Sequence, residues 1–163
     1  MRNAPIVDEQ ELLSTIERER ADHHTIAFAN GCFDVLHVGH IRYLQAAAQE
    51  ADVLVVGVNG DDSVRTLKGE GRPVMNENER AELISAVRGV GYVTVFHENS
   101  PGRLLGVLRP DLHCKGTDYT PESVPEAAIV NAYGGRVVIV GDPKDHSTTE
   151  MLRRMKAAQK DEG

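Results

Sequence analysis

The sequence has only two cysteines, Cys32 and Cys114, each at the end of a short apolar run that predicts a buried strand. Two cysteines are too few for the disulfide framework of a small secreted protein, so we expect both to be reduced, small apolar side chains. The first ten residues also lack the apolar core of a signal peptide. Both observations favour a cytoplasmic location.

Long apolar runs and basic clusters are missing as well. No stretch reaches the roughly 18 apolar residues that a membrane-spanning helix needs. The 18 Lys and Arg are outnumbered by 25 Asp and Glu, giving a net charge of −7, so nucleic acid is not an expected partner. A protein with this charge must concentrate its cations to bind polyanions, and the candidates are Lys68, Arg72, Arg80 and Lys115.

The length of 163 residues predicts one domain over residues 1–163, with a helix within residues 1–22 packed on it and a tail at 156–163. Strand patterns alternate with helix patterns, which predicts a Rossmann-like three-layer α/β sandwich around a mainly parallel five-stranded sheet. The expected strands are residues 25–29, 53–58, 92–96, 111–115 and 136–140. The expected helices are residues 8–20, 77–87, 101–108 and 125–133, and a last one from 147. Residues 63–73 are expected to be a mobile loop.

One stretch organises the rest: FANGCFDVLHVGH, residues 28–40. It predicts the end of a buried strand, a glycine turn and the first turn of a helix. His37 and His40 are three residues apart and leave the same helix face, and Gly39 between them allows a close approach. A helix N-terminus with two imidazoles favours bound phosphate. Two surface histidines would show the same pattern, and a zinc site would need a third ligand that is not placed here.

Polar groups follow several predicted strands and should meet at the carboxyl edge of the sheet. Lys68 and Arg80 could bind phosphate there, or could be ordinary solvated charges. Residues 147–149 could contact phosphate, but they also suit helix capping, with Ser147 and Glu150 as a capping box. The four segments expected at this edge are residues 31–40, Lys68 with Arg80, residues 115–119 and residues 147–149.

The segment GCFDVLHVGH resembles the nucleotidyltransferases of the cytidylyltransferase type, in which the HxGH histidines hold a nucleoside triphosphate. Class I aminoacyl-tRNA synthetases carry a similar motif, but no KMSKS-like stretch occurs here. LKGEGRPV, NERAEL, LRPDLHCKGTDYTPE and STTEML are similar, in order and spacing, to one subgroup of that family, the D-glycero-β-D-manno-heptose 1-phosphate adenylyltransferases. In many bacteria this activity is fused behind a sugar kinase, and no kinase-sized segment is present in this sequence.

The resemblance implies transfer of AMP from ATP to the heptose 1-phosphate, giving ADP-heptose and pyrophosphate. It also implies Mg²⁺ accompanying ATP, and a homodimer. The implied catalytic residues are His37, His40 and Lys68. The implied nucleotide-binding residues are Gly31, Cys32, Phe33, Gly39, Asn59, Arg80, Asp142, Ser147, Thr148 and Thr149. The implied sugar-binding residues are Lys115, Gly116, Asp118 and Tyr119.

Other functions remain open at this point. The same chemistry could join CTP to glycerol 3-phosphate or ethanolamine phosphate, and archaeal FAD synthases are also built around such a turn. A non-catalytic nucleotide-binding sensor would keep the fold as well. In this family the base is usually read near the last strand and loop, here residues 140–146. Asp34 is expected to be a structural residue of the turn, and no protein metal ligand is assigned.

Overall fold

The computed structural model describes residues 2–143 and 147–161. Within these residues the chain forms five strands and seven helices. The strands are β1 (Ile26–Gly31), β2 (Val53–Asn59), β3 (Tyr92–Phe96), β4 (Leu112–Lys115) and β5 (Arg136–Ile139). The helices are α1 (Glu9–Ala21), α2 (Val38–Ala48), α3 (Asp61–Lys68), α4 (Glu77–Ser85), α5 (Gly102–Leu108), α6 (Ala127–Ala132) and α7 (Thr148–Asp161).

The strands form one parallel sheet in the order β3-β2-β1-β4-β5. Successive strand residues point to opposite faces, so Ala27 and Ala29 of β1 pack on one side and Ile26 and Phe28 on the other. The first side is covered by α2 and α4, and the second by α1, α5 and α6. The predicted three-layer α/β fold with a five-stranded sheet is therefore confirmed.

The expectation of a loop over residues 63–73 is wrong for its first half, because α3 continues to Lys68. Asp61 and Asp62 lie in the first turn and Arg65 and Lys68 in the last, where their charges complement the helix dipole. Val64 is fully buried and attaches the helix to the core. Irregular backbone begins only at Gly69, whose φ of +96° ends the helix.

Several helix boundaries differ from the predicted ones by one or two residues. α4 ends at Ser85 instead of residue 87, and α6 is shorter than the predicted 125–133. Pro101 stands just before α5 and not at its first helical position. The predicted start of α1 is confirmed by Asp8, whose Oδ1 accepts a hydrogen bond from the Glu11 amide at 2.8 Å.

Both cysteines are free thiols, and Cys114 is buried in β4. Burial raises the pKa of the Cys114 thiol to about 12, so it stays protonated at neutral pH. In the part of the chain that the structure describes, no helix has the length and apolar character needed to cross a membrane.

Candidate active site

A cavity of about 570 Å³ opens at the carboxyl edge of the sheet, beside the start of α2. Its walls come from the carboxyl ends of the strands, from the segments after β1 to β5 and from the start of α7, so separated parts of the chain meet there. This edge is the general ligand position of an open parallel sheet. The predicted site residues that line the cavity are Gly31, Cys32, Phe33, His37, Gly39, His40, Asn59, Lys68, Lys115, Gly116, Asp118, Tyr119, Asp142, Ser147, Thr148 and Thr149.

The two histidines form a stacked pair at the start of α2. His37 is the N-cap residue, and its Nδ1 accepts a hydrogen bond from the Gly39 amide at 3.1 Å. Nδ1 of His40 accepts from the His37 amide at 3.3 Å, and the ring centroids are 3.9 Å apart. Because Nδ1 is the acceptor in both rings, the proton of each neutral imidazole lies on Nε2. An Nε2–H group is a donor of the kind that suits phosphate oxygens.

The turn before α2 holds this pair in place. Phe33 and Val35 both have left-handed backbone, with φ of +49° and +58°. This folds the Phe33 ring back against His40, edge to face, with centroids 5.5 Å apart. A Cβ at Gly31 would lie 3.0 Å from the Phe33 ring, so a larger residue at the end of the strand would require the ring to shift by a few tenths of an ångström. Glycine at position 31 thus leaves room for the Phe33 ring beside the end of β1.

Asp34 joins this turn to the segment before α4. Its carboxylate accepts from Arg72 Nε at 2.6 Å and from the amides of Val74 and Met75 at 2.9 to 3.1 Å. Burial raises the pKa of the Asp34 carboxyl, but the Val74 amide, Arg72 and the Met75 amide together bring it below its usual value. The carboxylate is occupied by protein donors, so Asp34 is a structural residue, as expected.

Arg80 is the one predicted site residue that does not line the cavity. The prediction that it binds phosphate is therefore wrong. The side chain is 0% exposed. Its guanidinium donates to the carbonyl oxygens of Met75, Cys32 and Asn59 and to Asp61 Oδ1, at 2.6 to 2.9 Å. These bonds tie the ends of β1 and β2 to α4. Arg80 therefore stabilises the site from behind, and a ligand cannot reach it.

Lys68 and the start of α7 bring further polar groups to the cavity. Lys68 is exposed at the last turn of α3 and lines the cavity wall. Ser147 Oγ accepts from the Glu150 amide at 3.0 Å, which is the predicted capping bond. Thr148 Oγ1 donates to the carbonyl oxygen of Val35 at 3.3 Å, attaching α7 to the histidine turn. Helix capping thus engages the Ser147 hydroxyl and a tertiary contact engages the Thr148 hydroxyl, both of which were expected to contact phosphate.

The loop expected to read the base is residues 140–146. Its described part, residues 140–143, lines the cavity, while residues 144–146 lie outside the described residues. Asp142 forms an exposed ion pair with Arg42, 3.2 Å apart, and its carbonyl oxygen accepts from Thr117 Oγ1 at 2.8 Å. The loops after β4 and β5 are therefore joined above the cavity.

The segment after β4 supplies a cation on the same wall. Lys115 is half-buried, and its Nζ lies 4.6 Å from the centre of the Tyr119 ring, a cation–π contact. Burial lowers the pKa of Lys115, while the charges of Glu126 and Asp118 raise it. The pKa is lowered on balance, and the contact with the Tyr119 ring places the ammonium over an aromatic face.

Residues 28–158 match the family model described as Cytidylyltransferase-like. The chain belongs to this family. It is 46% identical over 146 residues to "Bifunctional protein HldE" of Syntrophotalea carbinolica, and 47% identical over 151 residues to the protein of the same name in Geobacter metallireducens. These alignments cover 90% and 93% of this chain but 30% and 31% of those proteins. The chain thus spans about a third of the length of the curated relatives it matches, and the prediction of a single domain without a kinase stays a prediction.

Two solved structures have the same fold. A lipopolysaccharide core biosynthesis protein from Thermoplasma volcanium superposes with a TM-score of 0.63 and 29% identity, over 74% of this chain and 99% of that one. Pantothenate synthetase from Thermus thermophilus gives a TM-score of 0.60 over 88% of this chain and 63% of that one. At 16% identity, the second comparison shows the fold alone.

The cavity also has lining residues to which the sequence analysis assigned no role. Among them are Arg42, Asn30, Asn99 and Glu126. These four carry no recognisable local pattern. Arg72, a candidate cation for polyanions from its place in the LKGEGRPV segment, also lines the cavity. Packing of separate elements brings them to one wall.

The side chains of residues 2–143 and 147–161 form no metal site of their own. Within that part of the chain, no three His, Cys, Asp or Glu side chains are grouped so that they could hold a metal ion. Asp34, the carboxylate nearest the histidine turn in sequence, already accepts from Arg72 and two amides.

Proposed function

We propose that this chain is a nucleotidyltransferase that transfers AMP from ATP to D-glycero-β-D-manno-heptose 1-phosphate, releasing pyrophosphate and giving ADP-heptose. The observation that carries the proposal is the cavity, in which the stacked His37–His40 pair lies with Lys68, Arg72 and the start of α7. The family to which the chain belongs supports nucleotidyl transfer. Residues 115–119 would contact the sugar, as their resemblance to the heptose enzymes implies.

The choice of a sugar phosphate rests on relatives. The segments LKGEGRPV and KGTDYTPE resemble the heptose 1-phosphate adenylyltransferases. The curated relatives are named bifunctional proteins, and the Thermoplasma volcanium structure is described as a lipopolysaccharide core biosynthesis protein. The resemblance of these segments, together with the lipopolysaccharide description, supports a heptose acceptor over glycerol 3-phosphate or ethanolamine phosphate.

Catalysis of this reaction depends on positioning the two substrates and on stabilising negative charge more than on proton transfer. A phosphate oxygen of the sugar 1-phosphate attacks the α-phosphorus of ATP, the bond from that phosphorus to the bridging oxygen breaks, and pyrophosphate leaves with the electron pair. The acceptor oxygen is already anionic at neutral pH, so no general base is needed. The chain must hold two anions together and stabilise the charge that develops on the transferred group.

Each cationic or donor group has a part in this scheme. His37 and His40 donate from Nε2 to the α-phosphate region, and Lys68 and Arg72 neutralise phosphate charge beside them. Residues 147–149 contact the β and γ phosphates through the amides of the helix start, since the Ser147 hydroxyl caps the helix and the Thr148 hydroxyl donates to Val35. Mg²⁺ enters as part of the substrate, bound by the phosphates of ATP and water.

We also propose a cytoplasmic homodimer, as the family resemblance implies. Light scattering at micromolar concentration tests the assembly. A homodimer gives twice the monomer mass of 17.8 kDa, and a mass equal to the monomer would contradict the proposal.

The decisive experiment is a matrix of nucleotides against phosphorylated acceptors, followed by pyrophosphate release. ATP and CTP are each combined with the heptose 1-phosphate, glycerol 3-phosphate and ethanolamine phosphate. We expect the fastest release from ATP with the heptose 1-phosphate, and mass spectrometry should identify ADP-heptose. Faster turnover with CTP for every acceptor would overturn the adenylyltransferase assignment. Nucleotide binding without pyrophosphate release from any pair would favour a sensor.

A further inference from the structure

Glu126 is a buried carboxylate in the cavity wall that the scheme above does not use. It is 7% exposed and stands directly before α6. A residue at this position often caps its helix, but no side-chain capping bond is made here. Local helix geometry therefore gives no reason for a buried acid at this point.

The contacts of Glu126 fix one carboxylate oxygen and leave the other without a donor. Ser100 Oγ donates to Oε1 at 3.2 Å. Nε2 of His113 lies 3.7 Å from Oε2, beyond hydrogen-bond distance, and among the described residues Oε2 has no hydrogen-bond partner. His113 lowers the pKa of the Glu126 carboxyl, as does Lys115, so the group is a carboxylate at neutral pH. A buried acceptor of this kind favours a ligand that brings a donor.

Two other residues of the cavity lining, Asn30 and Asn99, also carry hydrogen-bonding groups. Asn30 lines the cavity from the end of β1, and its Oδ1 is a second buried acceptor with no partner among the described residues. Asn99 lines it from the segment after β3 and is exposed. A wall with two undersatisfied acceptors and an accessible carboxamide suits a ligand with several hydroxyl groups.

The position of Glu126 separates this wall from the phosphate side. Glu126 and Asn99 adjoin α6 and α5, which cover one face of the sheet, whereas the histidine pair begins α2 on the other face. A buried carboxylate repels phosphate but accepts hydrogen bonds from hydroxyls. The uncharged, hydroxyl-bearing part of a substrate consequently belongs near Glu126, and the phosphates belong beside the histidines.

We propose that the wall formed by Asn30, Asn99 and Glu126 is the subsite for the hydroxyl groups of the acceptor, and that Glu126 determines its selectivity for a polyol. This inference rests on the proposed transfer to a sugar 1-phosphate. Ser100 donates to Oε1 and the His113 ring lies 3.7 Å from Oε2, so contacts within the protein orient the Glu126 carboxylate before the acceptor binds. The nucleotide does not depend on this wall.

The test compares acceptor use with ATP binding in Glu126→Ala. We expect kcat/KM for D-glycero-β-D-manno-heptose 1-phosphate to fall roughly ten- to a hundredfold, since a hydrogen bond to a charged group is lost. The dissociation constant of ATP, measured without acceptor, should stay within about twofold. Glu122→Ala is the matched control, because Glu122 is exposed and does not line the cavity. It should leave both quantities unchanged.

A second variant keeps the test decisive if Glu126→Ala fails to fold. Asn99→Ala changes an exposed side chain, and we expect a loss of roughly three- to tenfold in acceptor kcat/KM with unchanged ATP affinity. A soluble Glu126→Ala or Asn99→Ala protein with unaltered acceptor kinetics, or with weakened ATP binding instead, would overturn the subsite. If the unmodified protein forms no ADP-sugar from any acceptor, the proposed function fails, and that result is separate from either variant.

Discussion

Replacing His40 with alanine should impair turnover far more than folding. His40 contributes a capping bond from the His37 amide, but at 3.3 Å this bond is long, and the ring contact with Phe33 is made at an edge. Loss of an N-terminal cap typically destabilises a protein by about 0.5–2 kcal/mol. Loss of one preorganised donor to developing charge costs about 2.7–4 kcal/mol in the transition state, roughly a hundred- to a thousandfold in rate.

A matched variant, His40→Gln, separates the donor from the ring. Its side-chain amide can place an N–H group near the position of Nε2, so it should retain more activity than His40→Ala while losing the same stacking on His37. The assay measures kcat, the ATP dissociation constant and urea unfolding for the unmodified protein and both variants. Near-normal turnover in His40→Ala would mean that His40 is an ordinary surface residue, and the assignment of the HxGH pair would be wrong.

Three further outcomes are expected. Arg80→Leu should lower the free energy of unfolding by about 3–5 kcal/mol in urea, because three carbonyl oxygens and one carboxylate lose their buried donor; a loss below about 1 kcal/mol would contradict its structural role. Lys68→Ala should change that free energy by less than about 0.5 kcal/mol but slow turnover roughly a hundredfold, and unchanged turnover would remove Lys68 from the site. Asp34 has a folded-state pKa below its unfolded value of about 3.9, so its stabilisation is complete above that pH and is lost as pH falls through the folded pKa. Asp34→Asn should therefore show a shallower fall in unfolding free energy between about pH 4 and pH 2 than the unmodified protein, and an equal slope would contradict the linkage.

Local pattern was enough to predict the framework of this protein. A short, continuous apolar run such as residues 53–58 indicates a strand that is buried on both faces of a sheet. Because such strands alternate with helices along the chain, the sheet is expected to be parallel. The position of the histidine pair was also predictable from local sequence, because two residues three apart at the start of a helix lie on the same helix face. Residues 63–68 were predicted to be a loop because glycines and cations are frequent in this part of the sequence. They are helical, and the burial of Val64 that attaches the helix to the core is not visible in the sequence.

Tertiary structure decides which residues line the cavity. Arg72 and Arg80 are both arginines close to the same turn, yet Arg72 lines the cavity and Arg80 is enclosed by carbonyl oxygens. Which of the two a ligand can reach depends on how α4 packs against the ends of β1 and β2, and spacing along the chain does not contain that information. Glu126 likewise stands before a short helix in sequence, and only the approach of Ser100 and His113 makes it a buried carboxylate in the wall. Strands and turns are set by interactions between near neighbours, whereas the burial and reach of a charged side chain are set by residues far away in the chain.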